Sequence, residues 1–386
     1  MNEQLAPRAL IIGGSLGGLF TAVALRAIGW RVDVFERSPH ALDSRGGGLV
    51  LQPDVLNVFH FAGLDAHAPL AVPSGDRIYL DSAGHVVQRG YQPQSQTSWN
   101  MLYATMRASL PDACVHPGET LASFEQAGGQ VRARFAGGRV ETGDLLVGAD
   151  GAHSTVRKLL LPAAVPAYAG YVAWRGLVPE LALAAQHRAL LDGVFAFQHE
   201  GDNMLLEYMA PGEDGAVDAG RRRWNWVWYR NIPEHALPAV LTDRAGRTHP
   251  FSLPPGALQD GYGAALRADA DRMLAPPLRA LVHATAEPFI QLILDLEVAQ
   301  MAFGRVVLLG DAAFVPRPHT AGGSAKAAAN ALALAQALQR PGRPVEQALR
   351  TWETFQLRAG RIMTASGRRM GDHIMQLGEH ASAGVA

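Results

Sequence analysis

The sequence predicts an α/β protein in which a parallel sheet is interrupted by a mostly antiparallel sheet and followed by a C-terminal helix. Three observations predict it. A strand, a glycine turn, a helix and a second strand open the chain. Long alternating strands fill the middle. Two later apolar strands end in Asp-Gly and Gly-Asp pairs.

The opening unit runs from Arg8–Ile12, an apolar strand of buried parallel type, through a helix over Leu16–Gly29 to the alternating strand Arg31–Glu36. Short alternating runs at Asp76–Leu80 and His85–Arg89 predict a hairpin, and residues 99–110 a helix. Strands near 121–126, 130–135 and 139–141 follow, and Asp144–Val147 returns to the buried type. From Tyr168 to Ile232 alternation dominates, with Trp224, Trp226 and Trp228 at period two. Arg305–Leu309 is again buried-parallel, an alanine-rich helix follows it, and Val345–Met370 closes the chain as a helix. The expected division is 1–70, 99–167 and 280–340 for the nucleotide domain, 71–98 and 168–279 for a substrate domain, and 341–386 for a helical segment.

Composition bounds the function. The 386 residues are 48% hydrophobic and 18% charged, with 34 Lys+Arg against 35 Asp+Glu and a net charge of −1. That balance argues against a nucleic-acid or anionic-membrane partner. Cys114 is the single cysteine, which excludes an internal disulfide and Cys-rich metal sites, and no metal is expected. Met1–Pro7 is short and polar, and no segment is long and apolar enough for a membrane span, so a soluble cytoplasmic protein is expected.

Three motifs carry chemistry. Gly13-Gly14-Ser15-Leu16-Gly17-Gly18 sits between a strand and a helix, where backbone N–H groups and the positive helix end meet a pyrophosphate. Ser15 replaces the middle glycine of the usual pattern. Glu36 lies where an acid accepts ribose hydroxyls. Asp150-Gly151 ends a strand, with Ser154, Val156 and Arg157 following; a plain helix cap is the alternative role for Asp150 and Ser154. Gly310-Asp311 ends another strand, and a loop with Arg317, Pro318, His319, Gly322 and Gly323 opens the next helix, whose N-terminus favours negative charge.

In this order, the three motifs resemble those of the single-component FAD-dependent aromatic hydroxylases, the family of p-hydroxybenzoate and salicylate hydroxylases. The resemblance covers roughly residues 8–340. The runs Tyr168–Gly176, Trp226–Asn231 and Arg317–His319 are most similar to the branch containing 2,6-dihydroxypyridine 3-hydroxylase. It implies a Rossmann-like FAD-binding domain holding FAD non-covalently through Gly13, Ser15, Leu16, Gly18, Glu36, Arg37, Leu49, Arg107, Asp150, Asp311, Gly322 and Gly323. The segment Gly46–Pro53 would run beside the isoalloxazine. NAD(P)H would act as a transient reductant, as no second glycine fingerprint follows a strand. Two departures stand out: Phe314 where the family often has histidine, and Ala321 where it often has glycine.

The reaction so implied passes an oxygen atom from a flavin C4a-hydroperoxide, formed with O₂, to an electron-rich aromatic or pyridine-like ring. It demands a dry pocket and a group that activates a ring hydroxyl. His319 is the candidate base or polar anchor, with Tyr208 and Tyr229 as further catalytic candidates. Val50, Gln198, Arg317 and Pro318 are candidate substrate contacts, with His199 a weaker one. Phe195, Phe197 and the three tryptophans are candidate walls, or ordinary sheet packing. Glu207 alternates with Tyr208, so only one of the two faces the pocket. A homodimer is left open. Competing readings are a flavin-dependent halogenase, which needs a lysine upstream of Lys158 that the chain lacks, a non-catalytic flavin-fold binding protein, and a simple NAD dehydrogenase, which leaves Gly310-Asp311 unexplained.

Overall fold

The computed structural model describes residues 6–40, 42, 47–64, 69–340 and 342–377. Its first sheet has six strands, in the order Ala302–Phe303, Val306–Leu308, Leu145–Gly148, Arg8–Ile12, Arg31–Glu36, Val115–Pro117. All neighbours pair in parallel except the first two. Leu145, Leu146 and Val147 have no exposed surface, because both faces of this sheet are covered. Helices Leu16–Ala27 and Gly323–Leu338 belong to the same core as the sheet, as do Val131, Ala133 and Phe135 of the three-stranded sheet spanning Leu121–Gly143.

The second sheet follows the order Ser252–Leu253, Phe289–Glu297, Ala167–Pro179, Arg223–Asn231, Asn203–Ala210, Val194–Glu200, Val72–Leu80, Val86–Ser98, Gly48–Val50. Its alternation sorts side chains cleanly. Val172, Trp174, Leu205, Trp224, Trp226 and Trp228 face helices Ala185–Leu191, Asp260–Met273 and Pro276–Ala284, while Tyr171, Phe195, Phe197, Tyr208, Val227 and Tyr229 form a separate cluster on the opposite face.

Two boundaries depart from the expected division. Phe289–Glu297 pairs with Ala167–Pro179, and Gly48–Val50 with Val86–Ser98, so both belong to the second sheet although they lie in segments assigned to the nucleotide domain. The chain crosses between sheets more often than its texture suggests, since a three-residue strand gives no period to read. Helices Pro53–Phe61 and Pro276–Ala284 each start with proline in the first turn, where its missing N–H costs no helical bond.

The last helix, Val345–Ile374, is 30 residues long and lies over the Phe314–Thr320 loop. It touches that loop through glycines. A Cβ on Gly360 would stand 2.5 Å from the Phe314 ring, and one on Gly371 2.6 Å from the Tyr171 hydroxyl and 2.8 Å from Arg317 Nη1. Phe314 therefore packs into the helix, with 1% of its surface exposed.

Candidate active site

The edges of the two sheets enclose a two-lobed trough. The smaller lobe, about 310 Å³, is lined by Gly13, Ser15, Glu36, Arg37, Trp99, Asp150 and Thr155 among others. The larger, about 1120 Å³, includes Ser15, Leu16, Gly47, Gly48, Leu49, Trp99, Arg175, Asp311, Gly323 and Ser324. Ser15, Trp99, Ala149 and Gly151 border both, so the lobes are continuous at the glycine turn.

Strand and helix approach each other tightly at that turn. Gly13 has φ +108°, and a Cβ there would lie 2.4 Å from the Ala149 carbonyl oxygen; one on Gly18 would overlap the Gly13 carbonyl. Ser15 is the N-cap of Leu16–Ala27, yet its hydroxyl makes no cap bond and stands at the junction of the lobes. Glu36 reaches back to the turn: its carboxylate accepts from the N–H groups of Gly14 (2.8 Å) and Ser38 (2.9 Å).

Asp150 makes the capping contacts that the sequence offered as the alternative. It accepts from Ser154 Oγ at 2.5 Å and from the N–H groups of Thr155 and Val156 at 2.6 and 3.2 Å, while also lining the smaller lobe. Burial pushes its carboxyl up and these bonds oppose that. Arg157 is fully buried and donates to the carbonyls of Ala164, Ala312 and Ala152, tying the Asp-Gly motif to the Gly-Asp motif 155 residues away.

Asp311 is held by Lys326, whose buried ammonium donates to Asp311 Oδ1 at 2.7 Å and also to the Phe314 carbonyl. Gly322 caps helix Gly323–Leu338, which has no acidic residue in its first turn and no side-chain cap, so its free N–H groups face the larger lobe. Ala321 has φ +51°, the left-handed region that glycine occupies without strain, so the family difference seen in sequence falls on a strained backbone position. Glycine turn, donor-lined helix end and continuous trough fit FAD: the turn and Glu36 would hold its adenosine half, and Asp311 and the Gly322–Gly323 helix start its ribityl and ring half.

Beyond the larger lobe lies the aromatic face of the second sheet. His319 Nε2 is 2.8 Å from the Tyr171 hydroxyl, and its ring centroid lies 4.6 Å from that of Tyr229. Burial, with the Arg317 charge second, lowers His319 to about 4, so the imidazole is uncharged at neutral pH, and its Nδ1 is buried without a partner. Burial raises Tyr171 and Tyr208 and pushes Tyr229 up to about 12. Asn225 Oδ1 accepts from Gly48 N–H at 2.7 Å, which fixes the amide and leaves Nδ2 buried and unpartnered.

Several candidates stand elsewhere. Gln198 projects to the helix-covered face, where its amide is bound to the Met273 carbonyl and Ala275 N–H, because strand parity sets it opposite Phe195 and Phe197. Arg317 is 5% exposed and held by Asp295 and Asp372, so it clamps the last helix rather than facing a substrate. The tryptophans pack against the helices, as parity requires. Arg107 bonds Asp112 and the Leu110 carbonyl. Exposed His199 lies 3.0 Å from the Ile374 carbonyl. Tyr208, not Glu207, faces the aromatic cluster, with Val50 packed at its edge; Pro318 opens the short 3₁₀ turn Pro318–Thr320, and Gly46 lies outside the described residues. Sequence reasoning missed Asn225 and gave Arg175 and Tyr171 no role. The signal was available: residues alternating with the tryptophans must line the other face.

An FAD binding domain model matches residues 7–205, and an FAD binding domain-like model matches residues 168–295. 2,6-Dihydroxypyridine 3-monooxygenase of Paenarthrobacter nicotinovorans is 32% identical over 96% of this chain and 92% of its own length. The chain belongs to the FAD-dependent aromatic hydroxylase family. The solved structure of 2,6-dihydroxypyridine-3-hydroxylase from Arthrobacter nicotinovorans superposes with a TM-score of 0.90, covering 96% of this chain and 93% of that one. 6-Hydroxynicotinate 3-monooxygenase of Pseudomonas fluorescens is 26% identical over 87% of this chain and 84% of its own length. The protein is thus an FAD-dependent monooxygenase, and the halogenase, binding-protein and dehydrogenase readings fall away.

Proposed function

We propose that this protein hydroxylates a hydroxylated aromatic or pyridine-like ring, with NAD(P)H as reductant and O₂ as oxidant. The observation that carries the reading is the aromatic face beside the larger lobe, apolar in its walls yet holding buried, unpartnered polar atoms on His319, Asn225 and Arg175. Buried polar groups without partners are costly, and a bound ring with polar substituents would satisfy them. When bound, FAD supplies the oxygen-transfer chemistry. The chain's own part is to bind, orient and keep dry. Phe195, Leu206 and Val227 exclude water; Tyr208 and Tyr229, whose hydroxyls have no hydrogen-bond partner among the described residues, flank the ring.

His319 serves as the ring's polar anchor through Nδ1, positioned by Tyr171 on its other nitrogen. The test is a screen of hydroxypyridines and hydroxybenzoates for ring-dependent NAD(P)H oxidation coupled to oxygen uptake and a hydroxylated product. NAD(P)H oxidation without oxygen uptake, or no response to any ring, would overturn the reading. Aromatic substrates are also what the names of the relatives describe.

A further inference from the structure

We infer that Tyr171 fixes His319 as a hydrogen-bond donor with its proton on Nδ1, so that the ring is selected for an acceptor that carries no hydrogen of its own, an oxo (lactam) oxygen or a bare ring nitrogen. This rests on the ring-hydroxylating reading above and deepens it. It also removes His319 from the role of base.

The first observation is a chain of donors that starts at Arg317. Its buried guanidinium is held by Asp295 and Asp372 and can only donate. Nη1 stands against the Tyr171 hydroxyl: a Cβ on Gly371 would lie 2.6 Å from that oxygen and 2.8 Å from Nη1. The hydroxyl oxygen accepts from the guanidinium. Its own hydrogen then needs an acceptor, and among the described residues the one within reach is His319 Nε2, at 2.8 Å.

The second is burial. Tyr171 has no exposed surface, so no bulk water takes that hydrogen in place of the imidazole. Burial also raises the phenol, which keeps its hydrogen at neutral pH. A proton on Nε2 would point at an oxygen already engaged by Arg317 and leave the phenol hydrogen buried without an acceptor, the costlier arrangement. The Arg317 charge beside that hydroxyl repels a proton on the nearer nitrogen as well.

The third is what remains exposed to a ligand. An uncharged imidazole whose Nε2 accepts carries its hydrogen on Nδ1. Nδ1 is buried and has no partner among the described residues, and the His319 ring lies 4.6 Å from that of Tyr229 on the aromatic face. A buried N–H of this kind is completed by a ligand that accepts. It cannot take a proton from a ring hydroxyl, because the only lone pair on the imidazole nitrogens is spent on Tyr171.

The experiment reads the imidazole first. In oxidised holoenzyme labelled with ¹⁵N-histidine, at neutral pH, the chemical shifts of the two ring nitrogens tell which one is protonated; the signals that His319→Asn lacks belong to His319. Wild type is expected to favour the Nδ1–H form by roughly tenfold or more, and Tyr171→Phe, which keeps the ring and deletes the donor, to lose most of that bias. Ring binding is then followed by perturbation of the flavin spectrum, without turnover, with 2-pyridone and pyridine as acceptors and aniline as donor. Wild type is expected to bind at least one acceptor roughly tenfold tighter than aniline, and His319→Asn, whose amide nitrogen replaces Nδ1 as donor, to stay within about fivefold of wild type for that ring. His319→Asp, which offers only acceptors, should reverse the order. Which of the two acceptors binds tighter tells the oxo oxygen from the ring nitrogen.

A proton found on Nε2 in wild type overturns the inference. So does a tautomer bias that survives Tyr171→Phe, an aniline that binds as tightly as both acceptors, or an acceptor preference that survives His319→Asp. Failure of the ring-hydroxylating reading looks different: the tautomer and the acceptor preference are as expected, while no ring stimulates oxygen uptake.

Discussion

Glu207 stands back to back with Tyr208 on the Asn203–Ala210 strand, buried among the tryptophan-side residues, and neither of its carboxylate oxygens has a hydrogen-bond partner. Burial holds its pKa well above the ordinary value of 4.5. The folded protein keeps the Glu207 proton at pH values where the unfolded chain releases it. Stability from this group is therefore complete below the unfolded value and is lost as pH rises toward the folded one. In that window each pH unit costs up to about 1.4 kcal/mol, and pH 5 and pH 7 both lie above the ordinary value. Glu207→Gln preserves shape and carries no proton to lose. Urea unfolding of both holoenzymes at the two pH values isolates the effect, because every other titrating group is common to both. The variant should gain on wild type as the pH rises, by up to about 1.4 kcal/mol for each pH unit over which the fold keeps the proton. A difference that stays constant within about 0.5 kcal/mol would refute the reasoning and mean that Glu207 is ionised in the fold.

Further outcomes follow from other residues. Ala321→Gly removes a left-handed alanine beside the trough and should raise stability by up to about 1 kcal/mol, seen as a higher melting temperature with FAD affinity retained. Arg157→Met leaves the carbonyls of Ala152, Ala164 and Ala312 without their donor and should cost roughly 3–5 kcal/mol in denaturant unfolding. His319→Ala should slow ring hydroxylation while FAD stays bound; unchanged turnover would remove the side chain from the reaction. Because His319 is lowered to about 4, its contribution to stability is lost as pH falls from 6.5 toward that value, and its removal should flatten the acid limb of the unfolding curve.

Much of the fold was legible because its signals are local. Arg8–Ile12 and Arg31–Glu36 fall on the expected residues, since a buried parallel strand and an alternating one differ plainly in texture. The glycine turn was legible for the same reason: Gly13 and Gly18 stand where no Cβ fits. What the sequence concealed was partnership across distance. Nothing near Arg317 reveals that Asp295 and Asp372 will close on it, and nothing near Gln198 places Met273 and Ala275 within reach. Parity was the signal left unused. Once Trp224, Trp226 and Trp228 are assigned to the helix side, Asn225, Val227 and Tyr229 must turn the other way, and Arg175 joins them from the neighbouring strand.

The late strand Val306–Leu308 inserts beside Leu145–Gly148, and the Arg157 bond to Ala312 locks the junction. A nascent chain emerging from the ribosome thus carries its phosphate-binding turn early but lacks the other wall until Val306–Leu308 has been made. Until then Leu145–Gly148 has a bare edge where Val306–Leu308 will dock, a site for chaperone attention or mispairing. The trough is accordingly complete only once Val306–Leu308 and the Gly310-Asp311 turn behind it have arrived.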